Sequence, residues 1–559
     1  MASHLFQDKP PFNSRTQQQA IDDEIHALEY DRNSEKLQPT ANDVRDMGLF
    51  GIQPTFTRRF KFVAMVGFAS TVVVGRDVAQ LGQTLPQLSQ TLLTLTPIVF
   101  SMCWQNTLAT FSFALNNGGT GGYFFTYIYG IFAFGFTYLS LAELSSSYPT
   151  AGGQYQWVAQ CAPHKLRIPI SYFVGWLCSL AWLGYLAGCG VIIGNLIHDC
   201  VLIYHPDSVA ANTQWFPTIF AITALLLGGL FNSRLSQHFP ALEGIMVVIH
   251  LASWVAFVVV LWVASPIGNA KDVLLTFNNG GGWVNPAGAT LIGVLTACSG
   301  LLGYDSAVHM TENTRDASYT IPWSLMISYF VNAAMGLIAG VTVIFCAGDL
   351  DEVLANGTQA PFVTIFYNST QSKAGTVVML VPIMMCFMSS QISETATACR
   401  QIFAFARDNG LPFSGKLKRV PDAEVPQTAL WAVIAATLAI TCVNFGSAVG
   451  FNAIISLVSV SLTCSYVITI SCVLWHRFRG GGLPRERFSL GKAGVFINIA
   501  ALCTMSPIMV LAPFPAEAHV TPATMNWSIL IFGVVVVFST VYYVLVGRKH
   551  FVPTLRKSE

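Results

Sequence analysis

The chain has 559 residues, a formal net charge of +1, and only 10% Asp, Glu, Lys and Arg against 53% hydrophobic residues. Soluble domains carry about 25% charged residues, so a string of water-soluble domains is excluded, and no basic tract points to nucleic acid. Its 13 cysteines follow no CxxC or zinc spacing and sit mostly inside apolar runs, where they read as small packing residues.

Residues 1–49 are polar and mixed in charge (Asp22, Asp23, Glu24, Arg32, Glu35, Lys36), and no apolar core follows the start. They read as a disordered tail rather than a secretory signal. Residues 50–547 form a membrane domain, and 548–559 a short polar tail. Eleven apolar runs stand out, near 121–143, 170–203, 215–232, 242–265, 288–310, 323–347, 374–405, 428–446, 451–475, 492–513 and 525–547. A helix needs about 20 apolar residues to span the hydrocarbon core. None of the runs has the two-residue alternation of a membrane barrel, so an all-α integral membrane protein is expected.

Ahead of these runs, 62–75 and 92–116 are apolar pieces separated by Arg76, Asp77, Gln80, Gln83 and Gln87. The first piece covers roughly 20 Å as a helix and is too short to cross alone. One further crossing between Lys61 and Gly118 brings the total to 12 transmembrane helices.

Positive charge marks alternate gaps. Arg58, Arg59 and Lys61 precede the first run; later gaps hold Lys165 and Arg167, Arg234, Arg315, Lys416 with Lys418, and Arg485 with Arg487. The gaps between are poor in Lys and Arg, and Asn356 and Asn368 in one of them head glycosylation sequons. The positive-inside rule then places both termini in the cytoplasm.

Three stretches carry a family resemblance: Glu143 through Trp157 (ELSSSYPTAGGQYQW), Gly303 through Glu312 (GYDSAVHMTE), and Arg400 through Pro412 (RQIFAFARDNGLP). In this order they resemble the fungal amino acid/choline branch of the amino acid–polyamine–organocation permeases, over about residues 50–550. The resemblance implies two inverted five-helix repeats plus two helices, with helices 1 and 6 broken near the midplane. It also implies a substrate at the breaks: an amino acid, GABA, choline or a polyamine. An unwound segment frees backbone groups that can hold a charged substrate head.

The family's first-helix break maps onto Gly67, Phe68, Ala69 and Ser70, and the continuation expected after Val73 appears only at Trp104. The stretch from Val74 to Cys103 therefore looks inserted: either a retained intron that would inactivate the protein or a lineage-specific loop. Ser299, Gly300 and Leu301 mark the break expected in the sixth span, and close packing through small residues is the alternative there.

Ionisable groups inside spans are candidates for function. His250 and Glu394 are read as proton acceptors or as structural hydrogen-bonding groups. Asp305 either caps the broken helix or faces a cationic substrate. Glu143 and Glu312, at span ends, are read as gate or loop residues. Trp182, Tyr185 and Tyr304 could box an ammonium group through cation–π contact, whereas Trp157, Trp176 and Trp262 suit the membrane interface.

No phosphate-binding loop supports ATP-driven transport, no motif calls for a cofactor, and His164, His198, His250 and His309 are scattered rather than clustered as in an enzyme. A secondary permease moving a small amino compound, coupled to protons, is the expectation; a non-transporting nutrient sensor of the same fold is the rival. The plasma membrane is the expected location, with the vacuolar membrane as the alternative.

Overall fold

The computed structural model of the chain describes residues 39–52, 103–208, 213, 215–355, 360–420, 425–445, 449–484, 487–522 and 524–556. Gly67, Phe68, Ala69, Ser70 and nearly all of the Val74–Cys103 stretch lie outside them. Among the described residues the architecture is all-helical, with one isolated bridge, Asn117 to Asn279.

In chain order the principal helices are α1 (Ala41–Phe50), α2 (Cys103–Ala109), α3 (Phe111–Asn116), α4 (Gly119–Ser147), α5 (Gln154–Cys161), α6 (Arg167–Tyr204), α7 (Trp215–Arg234) and α8 (Phe239–Ala264). After these come α9 (Pro286–Ala297), α10 (Ser306–His309), α11 (Ala317–Cys346), α12 (Pro361–Thr370), α13 (Lys373–Arg407), α14 (Gln427–Thr441), α15 (Val449–Phe478), α16 (Gly494–Leu511) and α17 (Ser528–Tyr542). Among the described residues ten helices are long and apolar enough to cross a membrane. They coincide with the apolar runs except at 288–310, where the expected continuous span ends at Ala297.

Burial sorts these helices into inner and outer ones. The most apolar window of Asn452–Phe478 is 78% buried, and that of Ser528–His550 only 6%. Helix α15 is thus central, while α17 presents nearly all of its surface outward, as a helix facing lipid does. α6 packs against α5, α7, α13 and α15, and α4 packs against α9, α11 and α16.

Both ends of the described chain lie on one face. Residues 41–49, assigned by composition to a disordered tail, instead form most of α1. Thr40 and Asp43 close a capping box there. The Asp43 carboxylate also accepts from the backbone N–H groups of Asp316 (3.0 Å) and Ala317 (3.2 Å), capping α11 from another helix. Asp316 stands at φ 55° and supplies no side-chain cap of its own. At the other end, Phe551 is buried against Tyr155, Tyr172 and Phe405, and Arg556 donates to the Ser147 carbonyl at 3.2 Å. Trp157 is a correction of another kind: it is fully buried, donating from Nε1 to the Tyr148 carbonyl at 2.9 Å, and is no interfacial anchor.

Candidate functional site

Two helix interruptions meet in the interior. After Ala297 a single 3₁₀ turn covers Ser299–Leu301, Leu302 is extended, and Gly303 takes φ +89° before the short α10 begins. This positive φ suits glycine. A Cβ at Gly303 would also stand 3.1 Å from the Tyr185 ring. On the other side, α2 stops at Thr110 and α3 restarts at Phe111. The two interruptions touch directly: Thr110 Oγ1 and Ser299 Oγ lie 2.6 Å apart.

The cavity beside them encloses about 880 Å³ of space not filled by atoms, open solvent at its mouth included. Its wall combines Ser299, Gly300 and Gly303 of the break with Asn106 and Thr110. Trp182, Tyr185 and Phe387 supply the aromatic surfaces, the rings of Trp182 and Tyr185 lying 5.7 Å apart. Helix α13 contributes a polar stripe of Ser390, Ser393, Glu394 and Thr397, spaced i, i+3, i+4, i+7 so that all four share one face.

Among the described lining residues Glu394 is the one charged side chain. Ser390 donates to its Oε1 at 2.7 Å, and Oε2 has no hydrogen-bond partner among the described residues. A buried carboxylate oxygen without a donor is costly, and a ligand ammonium or a proton would offset that cost.

The remaining expected site residues separate into two groups. Trp182, Tyr185, Ser299 and Gly300 do line the cavity. Leu301 and Tyr304 sit behind it: the Leu301 carbonyl accepts from Tyr138 at 2.9 Å, and Tyr304 packs edge-on to Tyr138 and Tyr329. The unwound segment turns these two side chains into the bundle, so Tyr304 is no wall of the cavity.

Asp305 is fully buried and off the cavity wall. It makes no helix cap. Instead it accepts from Gln154 Nε2 and Tyr466 OH, both at 2.5 Å. His250 is likewise buried off the wall, with Trp104 Nε1 donating to its Nε2 at 3.2 Å and the Gln105 amide 2.9 Å from its Nδ1.

Glu143 and Glu312 belong to the face bearing the termini. Glu143 pairs with Arg477 and accepts from the Leu490 N–H at 3.0 Å. Glu312 lies 2.7 Å from Arg407, a charge contact rather than an aligned hydrogen bond. Next to it, Asp408 gathers Tyr155 (3.1 Å), Gln156 (2.9 Å) and Thr554 (2.9 Å through its hydroxyl). Burial holds the Asp408 carboxyl above its usual range, with the Arg407 guanidinium opposing that rise.

Several of these partners escape a reading by sequence. Asn106, Thr110, Ser390, Ser393 and Thr397 line the site without any charge to mark them. The α13 stripe does leave a trace in the helical spacing of its hydroxyls around Glu394. No metal-binding group of His, Cys, Asp and Glu occurs among the described residues.

A family model described as amino acid permease matches residues 91–537, well over half of the chain. A chain of Macrophomina phaseolina named for amino acid/polyamine transport is 30% identical over 404 residues, covering 70% of this chain and 86% of that one. The choline transporter of Saccharomyces cerevisiae is 27% identical over 418 residues, 74% of this chain and 73% of its own. Amino-acid permease 2 of Neurospora crassa is 24% identical over 462 residues, 81% of this chain and 83% of its own.

Proposed function

The chain belongs to the amino acid permease family, and from that membership we propose that its cavity takes a small ammonium compound and carries it inward by alternating access, coupled to protons. As a family member it is a multi-pass membrane transporter of amino acids or organic cations, not an enzyme. The observation that carries the proposal is Glu394, the single described charge on the cavity wall, with one carboxylate oxygen unpartnered.

An ammonium head would meet this carboxylate as a charge-assisted hydrogen bond or ion pair. Trp182, Tyr185 and Phe387 offer ring faces that attract a cation and cover the alkyl part of the substrate. The hydroxyls of Ser390, Ser393 and Thr397 and the backbone at Ser299–Gly303 replace water around its polar atoms. This chemistry suits choline, polyamines, GABA or an amino acid through its amino group, and gives a simple anion no partner of opposite charge among the described residues.

In this reading the two interruptions, at Thr110 and Ser299–Gly303, are the parts of helices 1 and 6 around which two inverted repeats rock, in a bundle of 12 crossings. The face bearing both termini is cytoplasmic, and the protein works in the plasma membrane. Radiolabelled uptake tests this in yeast lacking its own GABA, choline and amino acid permeases. The full chain and one lacking Val74–Cys103 would be tested in parallel, with choline, putrescine, GABA and a neutral amino acid as probes. Accumulation that rises as the medium is acidified is the expected result. If neither chain takes up any probe with both at the cell surface, the proposal fails and the sensor reading gains.

A further inference from the structure

His309 stands apart from the residues given a part so far, and its partners connect the cavity to the face that bears the termini. It is fully buried on α10, just past the break. Trp182, a wall of the cavity, donates from Nε1 to His309 Nε2 at 3.0 Å. On the other side of the ring, Nδ1 lies 2.9 Å from the carbonyl oxygen of Ala151, in the loop between α4 and α5. An indole N–H only donates and a carbonyl only accepts. The ring is therefore neutral, with its one proton on Nδ1.

Asp305 Oδ2 waits 3.8 Å from the same Nε2. We infer that the His309–Asp305 pair is the site where the transported proton is held, and that Trp182 links its occupancy to the substrate cavity. This rests on the proton-coupled reading above.

A proton arriving at Nε2 uses the lone pair that accepts from Trp182. The indole N–H loses its acceptor, and the new imidazolium N–H turns to Asp305 while Nδ1–H keeps Ala151. One wall of the cavity is thereby released in step with protonation. A substrate that draws Trp182 toward itself frees Nε2 and so favours protonation, and linkage makes the effect reciprocal.

The surrounding groups fit a site that changes charge. Asp305 is held by Gln154 and Tyr466, so it can receive the imidazolium without first being oriented. Among the described residues, Cys178 from α6 and Tyr138 from α4 are further titratable groups facing Asp305. Further along, Glu312 is engaged by Arg407 of α13. Gly153 closes the ring's remaining side, where a Cβ would stand 3.3 Å from His309 Cε1.

The full chain in proteoliposomes containing a pH-sensitive dye tests the assignment, with labelled choline and labelled putrescine as probes. The wild-type chain should acidify the lumen as probe enters, and an imposed pH gradient should drive accumulation. H309Q should still exchange probe at equal pH but lose both acidification and gradient-driven accumulation. W182F keeps a ring but lacks the competing donor, so neutral Nε2 is less well satisfied and the pH midpoint of uptake should move upward. Acidification surviving in H309Q, or an unchanged midpoint in W182F, would overturn the assignment while leaving proton coupling intact. Probe entry without acidification in the wild type would instead overturn the coupling on which the assignment rests.

Discussion

Glu394 and Glu143 are both buried carboxylates on membrane helices, and their surroundings differ in kind. Glu143 is ringed by donors: Arg477, the Leu490 N–H and the Ser489 hydroxyl. Glu394 has one serine hydroxyl and an oxygen left over, and it looks into a cavity. A saturated carboxylate holds structure together, because removing it strands its partners. An unsaturated one costs stability while empty and is repaid only by what binds, which is the usual signature of function set against stability.

Breaking the saturated site should give the largest change. E143A leaves the mostly covered Arg477 without its acid, and removing one partner of a buried pair costs about 3–5 kcal/mol. Thermal unfolding of the detergent-solubilised protein would show a large fall in Tm. The double variant E143A/R477A should recover part of it, since no lone charge remains. A Tm equal to that of the wild type would show that the donors around Glu143 contribute little.

E394Q is the inverse case. The side chain keeps its shape and loses its charge, so Tm should hold or rise. Uptake should fall by about two orders of magnitude, since losing one member of a buried charge pair in a complex costs about 2–5 kcal/mol. The measurement is kcat/KM for the carried probe beside the melting curve. Loss of both stability and uptake would move Glu394 into the class of Glu143.

G303A falls between the two. An Ala at φ +89° costs about 1–3 kcal/mol of backbone strain, and its Cβ meets the Tyr185 ring at 3.1 Å. A moderate drop in Tm should come with a weaker apparent affinity, because the group displaced is a cavity wall. Normal affinity with lowered Tm would mean that the break serves the fold alone.

How much of this was legible in the sequence follows the range of each interaction. Long apolar runs announce the spans, since composition alone makes a helix prefer lipid, whereas Ser299-Gly300 with Gly303 fit a break and close helix packing equally well, and only the family resemblance favoured the break. Glu394 stood out as a charge inside a span. The side to which an unwound segment turns its residues is not in the composition, and so Leu301 and Tyr304 were expected in the cavity and lie behind it. The partners of Asp305 come from Gln154 and Tyr466, far apart in the chain and joined only by packing. Residues 41–49 looked like tail because they are mostly polar, yet Thr40 and Asp43 already spell a capping box, a local signal that composition overrode.

The weakest expected effect concerns the C-terminal segment, and its sign can be derived. Asp408 accepts from the Thr554 N–H at 3.2 Å and from its hydroxyl, and burial holds its carboxyl above the usual range. Both Thr554 hydrogen bonds favour the ionised carboxylate, and both are lost when residues 551–556 leave. An amide at this position keeps one acceptor oxygen and turns donors of its own toward the Thr554 donors. D408N should therefore weaken docking, and protease cleavage after Arg556 should be faster than in the wild type at neutral pH. Cleavage at the wild-type rate would show that the Thr554 contacts contribute little.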